Sequence, residues 1–127
     1  LYQTPLRPLP GTALPTFVFD SHQDLARHVG AMIAGVVRER AAQGQKAVLG
    51  LPTGSTPVGV YRELIRLHAE EGLDLSNVVT FNLDEYLGLG ADRLQSYRRW
   101  MHEHFFKFVN IPPSQRSLTY DMPHFSA

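Results

Sequence analysis

The sequence contains no cysteine among its 127 residues. Disulfide bonds and thiolate metal sites are therefore excluded, and the composition is typical of a reducing compartment such as the cytoplasm. Long apolar runs are also missing, since the longest, Ala31–Val37, is far shorter than the ~20 residues that a membrane-spanning helix needs. The 12 basic and 12 acidic residues cancel and are spread along the chain, which leaves no basic surface for nucleic acid. We expect a cytoplasmic protein that binds neither membranes nor nucleic acid.

The length is that of one ordinary domain, and composition divides it into three parts. Residues 1–15 carry four prolines without helical or strand periodicity, which predicts an extended arm or one lying on a neighbour. Residues 16–120 alternate strand and helix patterns, and residues 121–127 predict an unstructured tail. The chain starts at Leu1 without methionine or a signal peptide, so we expect an excised or processed piece.

The first strand and helix are predicted from Thr16 onwards. Residues 16–19 form a short apolar strand candidate, and Ser21 with Asp24 three residues later matches a capping box at a helix start. Gly44 is a suitable helix stop. At helical spacing, the face predicted to be buried consists of Leu25, Val29, Met32, Ile33 and Val36.

The stretch from Lys46 to Tyr61 organises the rest of the chain. Ala47–Leu51 is a continuous apolar run, typical of a strand buried on both faces of a parallel sheet. A turn of small residues follows it, namely Thr53, Gly54, Ser55 and Thr56. Thr56 is the predicted N-cap and Pro57 the first residue of a second helix that runs to about Glu71. Free N–H groups and the helix dipole then favour an oxyanion, most often phosphate, although a turn that binds nothing stays an alternative.

A second polar cluster follows the next predicted strand, residues 78–83. Its residues are Asn82, Asp84 and Glu85. In extended backbone the two adjacent carboxylates point to opposite sides, so at most one faces a crevice unless the chain turns there. The alternative is structural, with Asp84 capping a turn and Glu85 in solvent. A third helix is predicted from Tyr97 to about Phe108, and residues 117–120 form a weak strand candidate.

Alternation of strands and helices predicts an open α/β fold, a Rossmann-like three-layer sandwich with a mostly parallel sheet that is incomplete here. Ligands of such sheets bind beyond the carboxyl ends of the strands. The glycine spacing matches neither a Walker loop nor the dinucleotide fingerprint, so a small phosphorylated metabolite is a better prediction than a nucleotide. No metal site is expected, because His102 and His104 point about 200° apart on a helix.

Three segments resemble the glucosamine-6-phosphate deaminases. They are Leu49-Gly50-Leu51-Pro52-Thr53-Gly54-Ser55-Thr56-Pro57, then Val79-Thr80-Phe81-Asn82-Leu83-Asp84-Glu85-Tyr86, then Ser96-Tyr97 with Phe105-Phe106. The resemblance covers roughly residues 17–113. The 6-phosphogluconolactonases, a sister family of the same fold, share the first type of loop but usually have Asp-Glu-Arg where this chain has Asp84-Glu85-Tyr86.

The resemblance implies conversion of glucosamine 6-phosphate to fructose 6-phosphate and ammonia, without a metal or organic cofactor. Residues 53–56 match the loop that holds the sugar phosphate. Asp84 matches the carboxylate that moves a proton from C2 to C1 of the ring-opened sugar. Tyr97 matches a tyrosine that contacts substrate, and Asn82 and Glu85 are supporting residues beside the site. The implied partners are a small sugar phosphate and, for a homo-oligomer, further copies of the chain.

The family's second signature is missing from these 127 residues. It is a glycine-rich segment followed by a histidine and a glutamate that open the sugar ring, together with basic groups that neutralise the phosphate. We therefore expect an N-terminal portion of such an enzyme, inactive or nearly so by itself. A lactonase-like hydrolase and a non-catalytic sugar-phosphate-binding module remain the alternatives.

Overall fold

A computed structural model describes residues 6–82 and 97–116. Its regular elements, in chain order, are β1 (Arg7–Pro8), β2 (Phe17–Val18), α1 (His22–Ala42), β3 (Ala47–Leu51), α2 (Val58–Glu71), β4 (Val78–Asn82), α3 (Tyr97–His104) and two short 3₁₀ helices (Phe106–Phe108 and Pro113–Gln115). No helix within the described ranges is both long and apolar enough to cross a membrane.

The first two strands form an antiparallel hairpin, with Arg7 opposite Val18 and Pro8 opposite Phe17. Part of the predicted arm therefore pairs with its own chain. The predicted strand ends one residue early, at Val18 instead of Phe19. The division into arm, half-domain and tail stays a prediction.

Helix α1 begins and ends where the sequence predicts, but it buries a different face. Ser21 Oγ accepts a hydrogen bond of 3.0 Å from the Asp24 N–H, and Gly44 has a φ of 68° just beyond the helix. The buried residues are Ala26, Gly30, Ala34 and Val37, whereas Leu25, Met32 and Val36 of the predicted face are exposed. Small residues take the inner positions because α1 packs closely against α2: a Cβ on Gly59 would lie 3.1 Å from the Ala26 Cβ.

Strands β3 and β4 form a parallel two-stranded sheet within the described residues. Their register pairs Ala47 with Val78 and Leu51 with Asn82. Burial alternates along β3, and the Val48 side chain is 63% exposed. The prediction that this strand is buried on both faces is therefore wrong for the described structure, because the described helices cover one face of the sheet and leave the other open.

The core lies between that covered face and the helices. It contains Tyr61, Leu64 and Leu67 from α2, and aromatic residues from the segment after α3. Helix α3 ends at His104 rather than Phe108, and residues 106–108 continue it as a 3₁₀ helix. Consequently Phe105 and Phe106 are buried, while His104 and Phe108 are exposed. A parallel sheet joined through a crossover helix confirms an α/β fold of the Rossmann-like type.

Candidate functional site

The ends of β3 and β4 lie side by side. Because Leu51 pairs directly with Asn82 in a parallel sheet, the residues that follow both strands start at the same edge. The two strands that precede the polar clusters are thus neighbours in the sheet. This edge is where open α/β sheets place their ligands.

The turn after β3 presents its polar groups to solvent. Gly54 has a φ of 103°, a conformation that glycine adopts readily and other residues rarely adopt. Ser55 and Thr56 are exposed and Thr53 is half-buried. Within the described chain, none of these three hydroxyl groups makes a hydrogen bond, so all remain available to a ligand.

The start of α2 differs from the sequence prediction. Pro57 occupies the N-cap position and Val58 is the first helical residue, with no side-chain capping bond. The N-cap prediction for Thr56 is therefore wrong. The reason lies in the backbone: the Pro57 carbonyl accepts the first helical bond, from Tyr61 N–H at 3.1 Å, which places the whole turn one residue further from the helix. The Thr56 hydroxyl is consequently not used for capping.

Tyr61 fixes the base of the turn. Its hydroxyl donates a hydrogen bond of 2.5 Å to the Pro52 carbonyl, and its ring stacks on Phe105 at a centroid distance of 5.1 Å. Trp100 of α3 approaches the same ring edge-on at 6.1 Å. Burial raises the pKa of Tyr61, so the phenol stays protonated and remains a donor. No sequence signal indicates the role of Tyr61 in holding the turn.

Asn82 is the least expected polar group at this edge. Its side chain is 8% exposed, and within the described residues neither the amide nitrogen nor the amide oxygen has a hydrogen-bond partner. A buried polar group left without a partner costs about 1–3 kcal/mol. Such groups are rare and are retained where they serve a purpose, such as contacting a ligand. The amide of Asn82 therefore has unused donor and acceptor capacity at the end of β4, and its role in the site stays a prediction.

Three predicted site residues have less structural information. Asp84 and Glu85 lie outside the described residues, so their proposed roles stay predictions. Tyr97 is the first residue of α3 and is half-buried. It lies one helical turn before Trp100, which contacts Tyr61, so α3 begins on the side of the core that supports the turn. Its contact with substrate stays a prediction.

The edge can therefore hold an oxyanion through N–H and hydroxyl groups. Among the described residues, no three histidine, aspartate, glutamate or cysteine side chains group closely enough to hold a metal ion.

Comparison with known proteins identifies the family of the chain. A family profile described as glucosamine-6-phosphate isomerases/6-phosphogluconolactonase matches residues 20–124. The chain belongs to this family. The chain is 58% identical over 90 residues to glucosamine-6-phosphate deaminase 2 of Giardia intestinalis, covering 71% of this chain and 33% of that protein. Identity to glucosamine-6-phosphate deaminase 2 of Bacillus subtilis is 49% over 80 residues, covering 63% and 32%.

Solved structures of family members have the same fold. A monomeric glucosamine-6-phosphate deaminase superposes with a TM-score of 0.71 at 39% identity, over 78% of this chain and 39% of that one. A 6-phosphogluconolactonase from Shewanella baltica superposes with a TM-score of 0.58 at 27% identity, over 86% and 43%. The chain spans about a third of the length of these curated relatives.

Proposed function

We propose that this chain supplies the phosphate-binding turn and the proton-transfer carboxylate of a glucosamine-6-phosphate deaminase. The overall reaction converts glucosamine 6-phosphate and water to fructose 6-phosphate and ammonia. The observation that carries the proposal is the parallel register of β3 and β4, which starts the turn and the segment leading to Asp84 at one edge. Relatives about 50% identical to this chain that bear the name of this deaminase support it.

The turn would hold the phosphate of the substrate. Its hydroxyl groups at Thr53, Ser55 and Thr56 and the N–H groups around Gly54 can donate to phosphate oxygens, and the start of α2 adds the positive end of a helix dipole. The bond from Tyr61 to Pro52 keeps the turn in place without a ligand. This preorganisation reduces the entropy lost on binding.

Asp84 would act at the other end of the sugar. It removes the C2 proton of the ring-opened aldose and delivers it to C1, which shifts the carbonyl character to C2. The resulting C2 imine then exchanges with water to release ammonia and leave the ketone. A carboxylate can move a proton between adjacent carbons when its surroundings tune its pKa. The buried amide of Asn82, two residues before Asp84 in the sequence, would orient either the carboxylate or a sugar hydroxyl.

Ammonia release from glucosamine 6-phosphate tests this proposal. Because the chain spans about a third of its relatives, the assay uses the complete protein alongside the 127-residue chain, which we expect to be nearly inactive alone. Asp84→Asn should abolish turnover while leaving sugar-phosphate binding measurable. The matched control is Asp20→Asn, because Asp20 is an exposed residue of the Arg7 ion pair, and it should keep full activity. Equal activity of the two variants would exclude the role of Asp84.

A lactonase is the second candidate, because the family profile includes 6-phosphogluconolactonases and a solved one shares the fold. Incubation with 6-phosphogluconolactone in parallel with glucosamine 6-phosphate separates the two activities. We expect turnover of the amino sugar only. Binding of both compounds without turnover by the complete protein would instead favour a non-catalytic sugar-phosphate module. Self-association and a cytoplasmic location stay predictions.

A further inference from the structure

A cavity lined mainly by polar and charged side chains lies between α1 and α2, outside the turn. Its volume is about 410 Å³, within the range of small-molecule sites. Two helix faces line it, the first two turns of α1 and the first three turns of α2. The lining residues are His22, Gln23, Ala26 and Arg27 from α1, and Gly59, Arg62, Glu63 and Arg66 from α2.

The cavity is rich in hydrogen-bond donors. Three arginines and one glutamate line it, and His22 can add a further positive charge when protonated. The glutamate is already occupied: Glu63 Oε1 accepts from Arg66 Nη2 at 2.6 Å and from Arg66 Nε at 3.2 Å. Arg62 makes no hydrogen bond or ion pair within the described residues. A guanidinium on the wall without a carboxylate partner is available to an anion.

The helix packing is built around the buried Glu63. Its side chain is 8% exposed, and burying a carboxylate costs free energy unless it is paired. Gly30 makes room for it, since a Cβ at that position would lie 2.7 Å from the Glu63 Cγ. Glu63 and two further carboxylates, Glu70 and Glu71, hold the Arg66 side chain. These bonds raise the pKa of Arg66 and hold its guanidinium against three carboxylates, so Arg66 brings no net positive charge to the cavity.

We propose that this cavity is a second anion site, which binds a small molecule carrying a phosphate group. Guanidinium groups match phosphate oxygens in pairs, and the volume leaves room for a sugar-sized remainder. The site is separate from the turn. The part of its lining that comes from α2 begins at Gly59, beyond Pro57, and the lining includes none of residues 53–56. It does not depend on the proposed deaminase activity, and the test does not use that activity.

Titration with inorganic phosphate, followed by the backbone amide signals in NMR, tests the site. At constant ionic strength set with chloride, we expect saturable shifts in residues 22–27 and 59–66. Gln23→Glu places a negative charge on the cavity wall and should weaken this binding at least about threefold. The same change favours α1, because acidic residues stabilise a helix N-terminus, so a loss of binding cannot come from unfolding. Gln45→Glu is the matched control beyond the other end of α1, about 30 Å away, and should leave binding unchanged.

A second pair of variants tests the contribution of Arg62. Arg62→Gln should weaken phosphate binding about tenfold, the effect of losing one charge-assisted hydrogen bond. Arg38→Gln removes the same charge from an exposed position near the end of α1 and should have no effect. Since Arg62 also borders a smaller cavity with Phe108, the Gln23→Glu result decides which cavity is occupied.

The turn is excluded by a double variant, Thr53→Val with Ser55→Ala, in which the shifts of residues 22–27 should persist. The proposal is overturned if phosphate shifts only residues 53–57. It is equally overturned if Gln23→Glu and Arg62→Gln bind phosphate as tightly as their controls. Neither result would affect the proposed deaminase activity, which is tested by ammonia release.

Discussion

Replacing Asn82 with leucine should stabilise the fold while weakening sugar-phosphate binding. The two side chains branch alike at Cγ, but leucine carries no polar atom. Asn82 buries two amide atoms without partners in the described chain, each costing about 1–3 kcal/mol when unsatisfied. Allowing for partial relaxation of the site, we expect the free energy of unfolding to rise by about 1–3 kcal/mol. For a chain of this size each kcal/mol raises Tm by about 3–6 °C.

The control lies two residues earlier on the same strand face. Thr80 is fully buried, and its hydroxyl donates to the Gln115 carbonyl at 3.4 Å. Thr80→Val also exchanges a polar group for an apolar one, yet it removes an existing hydrogen bond. We therefore expect Thr80→Val to lower the free energy of unfolding by about 1 kcal/mol. The two substitutions should change the free energy of unfolding in opposite directions.

Urea denaturation monitored by Trp100 fluorescence measures both changes, with binding followed by titration of glucosamine 6-phosphate into the complete protein. A loss of more than about 1 kcal/mol in Asn82→Leu would show that the amide has partners in the folded protein. The argument for a ligand-binding amide would then fail. Increased stability with unchanged sugar-phosphate binding would likewise remove Asn82 from the site.

Three further predictions concern Tyr61, Gly30 and Asp74. Tyr61→Phe keeps the stacked ring but removes the hydrogen bond to the Pro52 carbonyl. It should lower the free energy of unfolding in urea by about 0.5–1.5 kcal/mol and weaken phosphate binding at the turn. An unchanged phosphate affinity would contradict the role of Tyr61 in holding the turn. Gly30→Ala should destabilise the fold by about 1–3 kcal/mol, because the added Cβ would clash with Glu63. The control is Gly35→Ala, whose added Cβ would have no neighbour within 4 Å and should stabilise α1 by up to about 1 kcal/mol. Equal shifts in Tm would refute the close approach of Gly30 to Glu63. Hydrogen bonds from its neighbours lower the pKa of Asp74 in the folded chain. The ionised carboxylate therefore stabilises the fold fully above its ordinary pKa, and this stabilisation is lost as pH falls through the lower folded value. The free energy of unfolding, measured from pH 5 to 2, should fall less in Asp74→Asn than in the unmodified chain.

The sequence predicts the elements around the site better than the faces they bury. Local sequence signals mark β3 and the start of β4, which are apolar runs, and the end of α2, which is followed by Gly72. In the structure Gly72 has a φ of 70°. The buried face of α1 has no such signal. Its apolar residues run nearly around the helix, and close packing against α2 selects the smallest, such as Ala26 and Gly30, over Leu25.

Within the site, the turn could be predicted because its residue types are unusual and adjacent. The hold of Tyr61 on Pro52 and the unpaired amide of Asn82 could not, because both depend on how separate elements pack. The same is true of the second cavity. Arg27 and Arg62 are 35 positions apart, and only the packing of two helices brings them to one cavity.

The register of β3 and β4 has a consequence for how the site opens. Both strand ends at the candidate site belong to one strand–helix–strand unit, residues 47–82, joined by a single crossover. Such a unit tends to unfold locally as a whole. Amide hydrogens near Leu51 and near Asn82 should therefore exchange with solvent at matching rates, and a change that frays the end of one strand should also loosen the end of the other.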